Sequence, residues 1–261
     1  MARAMRVMSY NIRYGGVGHE SELAAVLNAA APDVVLLQEA IRPDVIARLA
    51  DATRFEHFGS RPGQSTGFMS RLPVAAHAWH KPRGARHAFL ELVLEGYDVR
   101  LFALHLSAWF SNWSERRRAF EIRALLDGIR EHQHGFHVIV GDFNALAPGD
   151  RLQLGRMPPW IRAMVWLSGN DIARETIQTM LDAHYVDVWR RLRGDDPGYT
   201  FPTWDPHVRL DYAFTPERDG GRITSCEIFR QPTIAKNASD HYPILLTLDS
   251  QPIPSTSNIR V

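Results

Sequence analysis

The chain has 261 residues, of which 45% are hydrophobic and 23% are charged, and this ordinary globular composition excludes a mainly disordered protein. Lys and Arg together number 30 against 29 Asp and Glu, so the net charge of +1 excludes a strongly basic protein that coats a polyanion. The single cysteine, Cys226, excludes an intrachain disulfide and a multi-cysteine zinc site. Because Cys226 lies in an apolar run, we expect its side chain to be buried.

The sequence offers no signal for a membrane span or for export. No stretch approaches the roughly 18 uncharged apolar residues that a transmembrane helix needs. The first residues lack the apolar core of a secretory signal and lead directly into a strand pattern. We therefore expect a cytoplasmic protein, and a monomer by default.

Short runs of β-branched and aromatic residues recur along the chain and predict strands. In chain order they span residues 5–12, 33–38, 89–94, 99–106, 137–140, 210–214, 223–229 and 242–248. Helical patterns with apolar residues on one face span residues 21–30, 112–132 and 171–185. Since strands come both singly between helices and in runs, the pattern predicts one α/β domain with mixed sheets. We expect this domain to cover residues 1–249 and a flexible tail to cover residues 250–261.

The helix predicted over residues 112–132 begins with a local signal. Asn112 precedes Glu115 by three residues, which is close to the spacing of a capping box. Arg116, Arg117 and Arg118 follow, and we expect all three on the outer, solvated side of the helix.

Polar residues recur at the ends of the predicted strands, where packing alone does not explain them. They are Asn11, Glu39, His105, Asp142, Asn144, Asp211, Asp240 and His241. A carboxylate or amide at the end of a buried strand is costly unless it is hydrogen-bonded or binds a metal. One such residue is ordinarily a turn or cap residue, but repetition at successive strands indicates a ligand site at one edge of the fold.

The composition of this set narrows the chemistry. Carboxylates and amides are hard oxygen donors, and without a thiolate among them they suit Mg²⁺ or Mn²⁺. His241 is the natural base for a water nucleophile, because the unperturbed pKa of histidine lies near neutral pH. Asp211 is the candidate carboxylate that fixes the tautomer of His241.

These residues stand in motifs that resemble a known superfamily. The motifs are SYNIR with Asn11, LLQEA with Glu39, GDFNA with Asp142 and Asn144, RLDYAF with Asp211, and SDHYPI with Asp240 and His241. In their order, over residues 5–248, they are similar to the endonuclease/exonuclease/phosphatase superfamily, which includes pancreatic-type deoxyribonucleases, apurinic endonucleases, neutral sphingomyelinases and inositol polyphosphate 5-phosphatases.

The resemblance implies a fold and a role for each site residue. The fold is a four-layer α/β sandwich of two mixed β-sheets packed face to face, with helices outside. Glu39 would ligate Mg²⁺, with Asn11 and Asp240 near the metal. His241, oriented by Asp211, would act as base or bind phosphoryl oxygens, and Asp142 would align or deprotonate the attacking water. Two further residues would donate hydrogen bonds to the scissile phosphate, namely Asn144 and His105.

The expected activity is Mg²⁺-dependent hydrolysis of a phosphodiester by direct attack of water, with Mn²⁺ as a possible substitute. DNA or RNA is the leading substrate, and a lipid or small-molecule phosphoester is the alternative. A non-catalytic phosphate-binding module is a second alternative, and the complete set of site residues argues against it. The run VIVGDFNA argues against inositol phosphatases, and Val208 before Arg209 argues against an abasic-site enzyme.

Three segments outside the motifs bear on the substrate. Residues 157–169 are almost wholly apolar, and a buried helix is favoured over an exposed lid or an element that meets lipid. The basic loop 81–87 is either a clamp for a second phosphate or a solvated hairpin tip. Trp204 either stacks on a base or, as we favour, anchors a turn by packing.

Overall fold

The computed structural model describes residues 3–250. The predicted tail therefore falls outside the described residues, apart from Ser250, which still belongs to the last strand and is buried. Within the described part, the strands in chain order are β1 (Arg3–Asn11), β2 (Val34–Gln38), β3 (His57–Gly59), β4 (Thr66–Ser70), β5 (Val74–His80), β6 (Phe89–Leu94), β7 (Arg100–His105), β8 (His137–Asp142), β9 (Tyr185–Asp187), β10 (Asp211–Pro216), β11 (Ile223–Ile228) and β12 (Ile244–Ser250).

The helices of the described part are α1 (Glu20–Ala30), α2 (Pro43–Thr53), α3 (Asn112–Gly128), α4 (Pro159–Leu167), α5 (Glu175–Asp182), α6 (Val188–Arg193) and α7 (Ala235–Ala238). None of the helices within residues 3–250 combines the length and apolar character that crossing a bilayer requires.

The strands form two six-stranded sheets, with the orders β11-β12-β1-β2-β4-β3 and β5-β6-β7-β8-β10-β9. The pairs β1–β2 and β7–β8 are parallel, and the other pairs are antiparallel. Both sheets are therefore mixed, which confirms the prediction from the order of strands and helices.

Alternating side chains of each strand explain why the sheets stack face to face. Met5 and Val7 of β1 pack with Leu90 and Leu92 of β6 in a buried cluster that joins the two sheets. The intervening side chain of Met8 packs instead under α1 and α2. The outer face of the second sheet is covered in the same way by α3 and α5. Because both faces of the sheets are buried, the strands appear in the sequence as near-continuous apolar runs. The four-layer α/β sandwich is thus confirmed.

All eight predicted strands are present, but the sequence patterns missed β3, β4, β5 and β9. Strands β3 and β9 have only three residues each, and β5 is largely exposed on a sheet edge. Strand β4 is buried, but its sequence TGFMS contains no apolar run. The helix predicted over residues 171–185 is shorter, since α5 ends at Asp182 and Tyr185 begins β9. Cys226 is buried as predicted.

The start of α3 differs from its prediction in two ways. The N-cap is Ser111, whose side chain exchanges hydrogen bonds with Ser114 in a capping box, so the Asn112–Glu115 assignment is wrong. Arg118 is not on the solvated side: it is fully buried and its guanidinium lies 2.7 Å from the Glu115 carboxylate. The physical reason is that Arg118 also donates to the carbonyl oxygens of Ser107 and Trp109, and so ties the chain after β7 to the helix.

Candidate active site

The topology brings all eight predicted site residues to one edge of the sandwich. Asn11 and His105 end β1 and β7, and Glu39 directly follows β2. Asp142 ends β8, and since β10 runs antiparallel to β8, Asp211 at the start of β10 lies opposite Asp142 in the register. In the same way β12 runs antiparallel to β1, which places the preceding loop with Asp240 and His241 beside the end of β1. The remaining residue, Asn144, lies two positions beyond Asp142.

Two carboxylates and one imidazole form the buried centre of the site. His241 Nδ1 lies 2.8 Å from Asp211 Oδ2, and His241 Nε2 lies 3.8 Å from Asp142 Oδ2. All three side chains are at least nine-tenths buried. Burial acts to lower the pKa of His241, but the facing carboxylates Asp211 and Asp142 outweigh it and raise that pKa to about 10. Burial raises the pKa of Asp142 to about 7. The Asp211 carboxylate accepts a hydrogen bond from His241 Nδ1, so the other ring nitrogen, Nε2, faces Asp142.

The Glu39 carboxylate lies next to this centre, and the Asn11 side chain contacts both Glu39 and Asp142. The Asn11 amide donates to Asp142 Oδ2 at 3.0 Å and lies 3.4 Å from Glu39 Oε1. The other Glu39 oxygen accepts the backbone N–H of Tyr14 at 2.6 Å. Glu39 has a φ of +58°, a left-handed conformation that a non-glycine residue adopts at a cost of about 1–3 kcal/mol. The backbone is thus held in a strained form that turns this carboxylate toward Asn11.

Asp240 is partly exposed at the side of this group. Its Oδ2 lies 3.4 Å from Arg13 Nε, so the carboxylate is held between the loop after β1 and the loop before β12. Ser239 reinforces this junction, because its hydroxyl donates to the Asn11 carbonyl at 2.6 Å and accepts the backbone N–H of His241.

His105 and Asn144 flank Asp142 on its remaining sides. His105 Nε2 lies 3.7 Å from Asp142 Oδ2, while Nδ1 is 2.5 Å from the Ser65 hydroxyl. Burial lowers the pKa of His105 to about 3, so the ring is neutral at ordinary pH. The backbone N–H of Asn144 donates to Asp142 Oδ1 at 2.9 Å, and its side-chain amide donates to the Leu106 carbonyl at 3.1 Å. Asp142 therefore accepts hydrogen bonds from Asn11 and Asn144, and His105 faces it at a longer distance.

The donor chemistry of these residues fits a divalent cation. Ligand atoms of Asp142, Asp211 and His241 all lie within 4.8 Å of one another. Glu39 adds a carboxylate that reaches the same Asn11 amide as Asp142. Carboxylate oxygens without any thiolate are the ligands that Mg²⁺ and Mn²⁺ prefer.

Comparison with known proteins identifies the family of this chain. A family model described as the Endonuclease/Exonuclease/phosphatase family matches residues 8–241, a segment that holds all eight site residues. The chain belongs to this family. Its members are hydrolytic enzymes, namely nucleases, phosphatases and phosphodiesterases, and we assign this chain to the family as a phosphoesterase. No curated protein is similar enough to the chain to count as a relative.

Solved structures of the endonuclease/exonuclease/phosphatase fold superpose on nearly the whole chain. An endonuclease/exonuclease/phosphatase from Beutenbergia cavernae DSM 12333 is 24% identical, over 95% of this chain and 72% of that one, with a TM-score of 0.69. The 3′-5′ exonuclease NExo from Neisseria meningitidis is 15% identical, over 94% and 100%, with a TM-score of 0.71. Humanized D. rerio TDP2 is 21% identical, over 94% and 98%, with a TM-score of 0.64. These likenesses establish the shared fold.

Sequence reasoning missed several residues that shape the site of this family member. Ser239 could have been found, because a serine directly before Asp240 and His241 is placed to bond the backbone of its own turn. Ser65 and His87 carry no such local signal. Ser65 reaches His105 from the segment before β4, and the His87 ring stacks on the His105 ring with centroids 5.3 Å apart. The basic loop 81–87 is thus a hairpin connection that also approaches the site.

Proposed function

We propose that this phosphoesterase hydrolyses phosphodiesters with a divalent metal ion, Mg²⁺ or its substitute Mn²⁺, by direct attack of water. The observation that carries the proposal is the placement of Asp142, which faces Asn11, His105 and His241 at once. A buried carboxylate surrounded by donors and by a second carboxylate–histidine pair is suited to hold and deprotonate water. Cys226 offers no alternative nucleophile, because it is buried between the sheets.

Glu39, Asn11 and Asp240 are the residues that we propose to hold the metal ion, with Asp142 next to them. The bound ion would neutralise charge on the phosphodiester and stabilise the leaving oxygen. Glu39 and Asp142 both reach the Asn11 amide, so their carboxylates already converge on one small region.

Side chains of the protein would provide the proton transfer and the hydrogen bonds to the phosphate. Asp211 orients His241 through the 2.8 Å hydrogen bond, and either His241 or Asp142 takes the proton of the attacking water. His105, held neutral by burial, would direct its Nε2 proton toward the phosphoryl oxygens beside Asp142. Asn144 would donate to the same oxygens after exchanging its bond to the Leu106 carbonyl. Each such donor contributes on the order of 3 kcal/mol to transition-state stabilisation.

Nucleic acid is the first substrate class to test. The relatives of similar fold include NExo bound to a product DNA hairpin and TDP2 complexed with a single-strand DNA product. This support is limited to the fold, and the net charge of +1 adds none. The cytoplasmic location and the monomeric state remain predictions.

The test uses the purified full chain with Mg²⁺, with Mn²⁺ and with EDTA, against bis(p-nitrophenyl) phosphate, DNA, abasic DNA and RNA. We expect turnover of the soluble ester that EDTA abolishes and Mg²⁺ restores. Asp142→Ala, prepared in parallel, controls for contaminating hydrolases and is expected to be inactive. Full activity in EDTA would refute the metal requirement, and full activity of Asp142→Ala would refute the assigned site.

A further inference from the structure

A polar cavity of about 540 Å³ lies between two chain segments that adjoin the catalytic residues. One wall belongs to residues 146–151, which follow Asn144, and another belongs to residues 195–209, which lead into Asp211. The described lining includes none of the eight site residues, so this cavity is separate from the catalytic centre. Its volume is in the range of sites that bind small organic molecules.

Arg209 is the part of the lining that points to a ligand. The residue is only 2% exposed, and its Nη1 donates to Asp187 Oδ2 at 2.7 Å. The flat face of the guanidinium lies over the Tyr212 ring, 4.4 Å from the ring centroid. The other two nitrogens, Nε and Nη2, are shielded from solvent and have no hydrogen-bond partner among the described residues. Buried donors of a permanent cation are costly without an acceptor, so this edge of Arg209 is suited to receive one.

Asp150 also lines the cavity but does not supply this acceptor. Its Oδ2 lies 3.5 Å from Arg209 Nε, which is an ion pair without a hydrogen bond. The Asp150 carboxylate accepts instead from the Arg190 guanidinium and from the backbone N–H of Ala147. Arg190 also donates to the Asp196 carbonyl at 2.7 Å, so it holds the two walls of the cavity together.

The free edge of Arg209 and the charges around it favour an oxyanion. Nε and Nη2 lie on one side of the guanidinium, where two N–H groups match two oxygens of a phosphate or carboxylate. Arg151 lines the same cavity as an exposed residue and adds a second cation from the other wall. The lining as a whole has three arginines and two aspartates, which leaves an excess of one positive charge.

A phosphate monoester fits these donors better than a carboxylate does. A phosphate monoester has three free oxygens and more than one negative charge, so it can contact Arg209 and Arg151 together. A carboxylate has two oxygens, and the edge of Arg209 uses both of them. The cavity is also larger than a single phosphate needs. Tyr199 lines the remaining space, and because its hydroxyl accepts from Gln153 Nε2 at 2.7 Å, its own proton is available to a polar organic group.

We propose that this cavity is a second binding site, which takes a small organic phosphomonoester with its phosphate held by Arg209 and Arg151. The site takes no part in the hydrolysis, so the inference does not depend on the proposed function. Because the two walls continue into Asn144 and Asp211, the bound ligand would join the chain segments that carry these two residues.

Isothermal titration calorimetry on the full chain tests the site. The buffer contains EDTA, so that no metal ion retains phosphate at the catalytic centre and no turnover occurs. The ligands are glucose 6-phosphate, inorganic phosphate and glucose. We expect glucose 6-phosphate to bind, inorganic phosphate to bind more weakly, and glucose to give no heat of binding. Bound glucose 6-phosphate should also raise the thermal unfolding midpoint, because it binds the folded chain alone.

Two arginine variants locate the bound phosphate. Arg151→Gln removes the exposed cation and should weaken glucose 6-phosphate binding on the order of tenfold, while turnover of bis(p-nitrophenyl) phosphate stays unchanged. Arg209→Lys keeps the charge but replaces two parallel donors by one ammonium group, and it should bind more weakly as well. Since Arg209 is buried, the unfolding midpoint of Arg209→Lys without ligand checks its fold, and Arg151→Gln decides the test by itself if that fold is lost.

The matched control is Arg116→Gln, an exposed arginine on α3 outside the cavity lining, which should bind like the natural protein. Absence of glucose 6-phosphate binding would overturn the proposal, and so would equal affinity in Arg151→Gln and the natural protein. Loss of binding in Asn144→Ala, but not in Arg151→Gln, would place the phosphate at the catalytic centre and also overturn it. Binding that Arg151→Gln weakens, in a chain that does not hydrolyse bis(p-nitrophenyl) phosphate, would support this site and refute the proposed function.

Discussion

Replacing Asp211 by asparagine tests what the negative charge beside His241 contributes to catalysis. Asn has the size of Asp and can still accept a hydrogen bond, but it carries no charge to stabilise a protonated His241. In the protein the two side chains are buried and are joined by a 2.8 Å hydrogen bond. The substitution therefore changes the electrostatics of His241 while leaving its packing against Phe201 in place.

The magnitude follows from the burial of the pair. Removing one partner of a buried charge pair costs about 3–5 kcal/mol, because the remaining charge keeps no counter-charge. If that cost falls on the transition state, in which His241 must carry positive charge, kcat drops by about 10²–10⁴-fold. KM should change little, since neither atom of the Asp211–His241 bond is proposed to bind the substrate directly. The pKa of His241 should fall, because Asp211 is the foremost carboxylate that raises it.

Steady-state kinetics on bis(p-nitrophenyl) phosphate measure kcat and KM, and NMR titration of the His241 ring measures its pKa. The matched control is Asp182→Asn at the exposed end of α5, which should leave all three quantities unchanged. A kcat of Asp211→Asn within about fivefold of the natural value, with a lowered His241 pKa, would show that the charge of this pair does not support catalysis.

Three further substitutions test the structure around the site. Arg118→Met leaves Glu115 buried without its counter-charge and should lower the free energy of unfolding by about 3–5 kcal/mol in urea titration, with partial recovery on adding Glu115→Gln. Gly141→Ala should cost about 3 kcal/mol or more and reduce activity, because at φ +147° the new Cβ would lie 2.0 Å from the Leu104 carbonyl oxygen. Burial lowers the pKa of His137 in the folded protein. Below pH ~6.5 the unfolded chain therefore binds a proton that the folded chain does not bind, and the free energy of unfolding falls by up to about 1.4 kcal/mol per pH unit. His137→Asn should flatten that slope.

Each of these expectations has a definite contrary result. A loss below about 1 kcal/mol in Arg118→Met would mean that water or a rearranged side chain satisfies Glu115. Natural activity and stability in Gly141→Ala would mean that β7 and β8 separate without cost. An identical pH dependence of unfolding in His137→Asn would assign the acid sensitivity to other buried groups.

The mixed α/β class and the polar residues of the site were predictable from local patterns, whereas the order of the four layers was implied by the family resemblance. Buried strands are apolar runs, and a polar residue that ends such a run, as Asp142 ends β8, is visible in the sequence. The short edge strands β3 and β9 were not predictable, because three residues carry too little pattern to separate a strand from a loop. Their positions depend on pairing with β4 and β10, which is a tertiary contact.

Long-range contacts also explain the residues that sequence reasoning misplaced. Arg118 looks like one of three solvated arginines, since adjacent residues on a helix differ in direction by about 100° and a charge run shows no preferred face. It becomes a buried residue because Glu115 and two backbone carbonyls from the chain after β7 supply partners. Ser65 is similar: its bond to His105 joins positions 40 residues apart.

Helix α4 carries apolar side chains that stabilise the fold and others that do not. The apolar side chains of Ile161 and Val165 are buried, so the fold itself accounts for them. Trp166 and Leu167 are exposed in the folded protein almost as they would be in the unfolded chain, and their hydrophobicity therefore adds little to the free energy of unfolding. Composition alone led to a buried helix over residues 157–169, because it does not distinguish these two cases. Burial of Trp166 and Leu167 against another surface would be favourable, but the folded protein itself does not bury these two side chains.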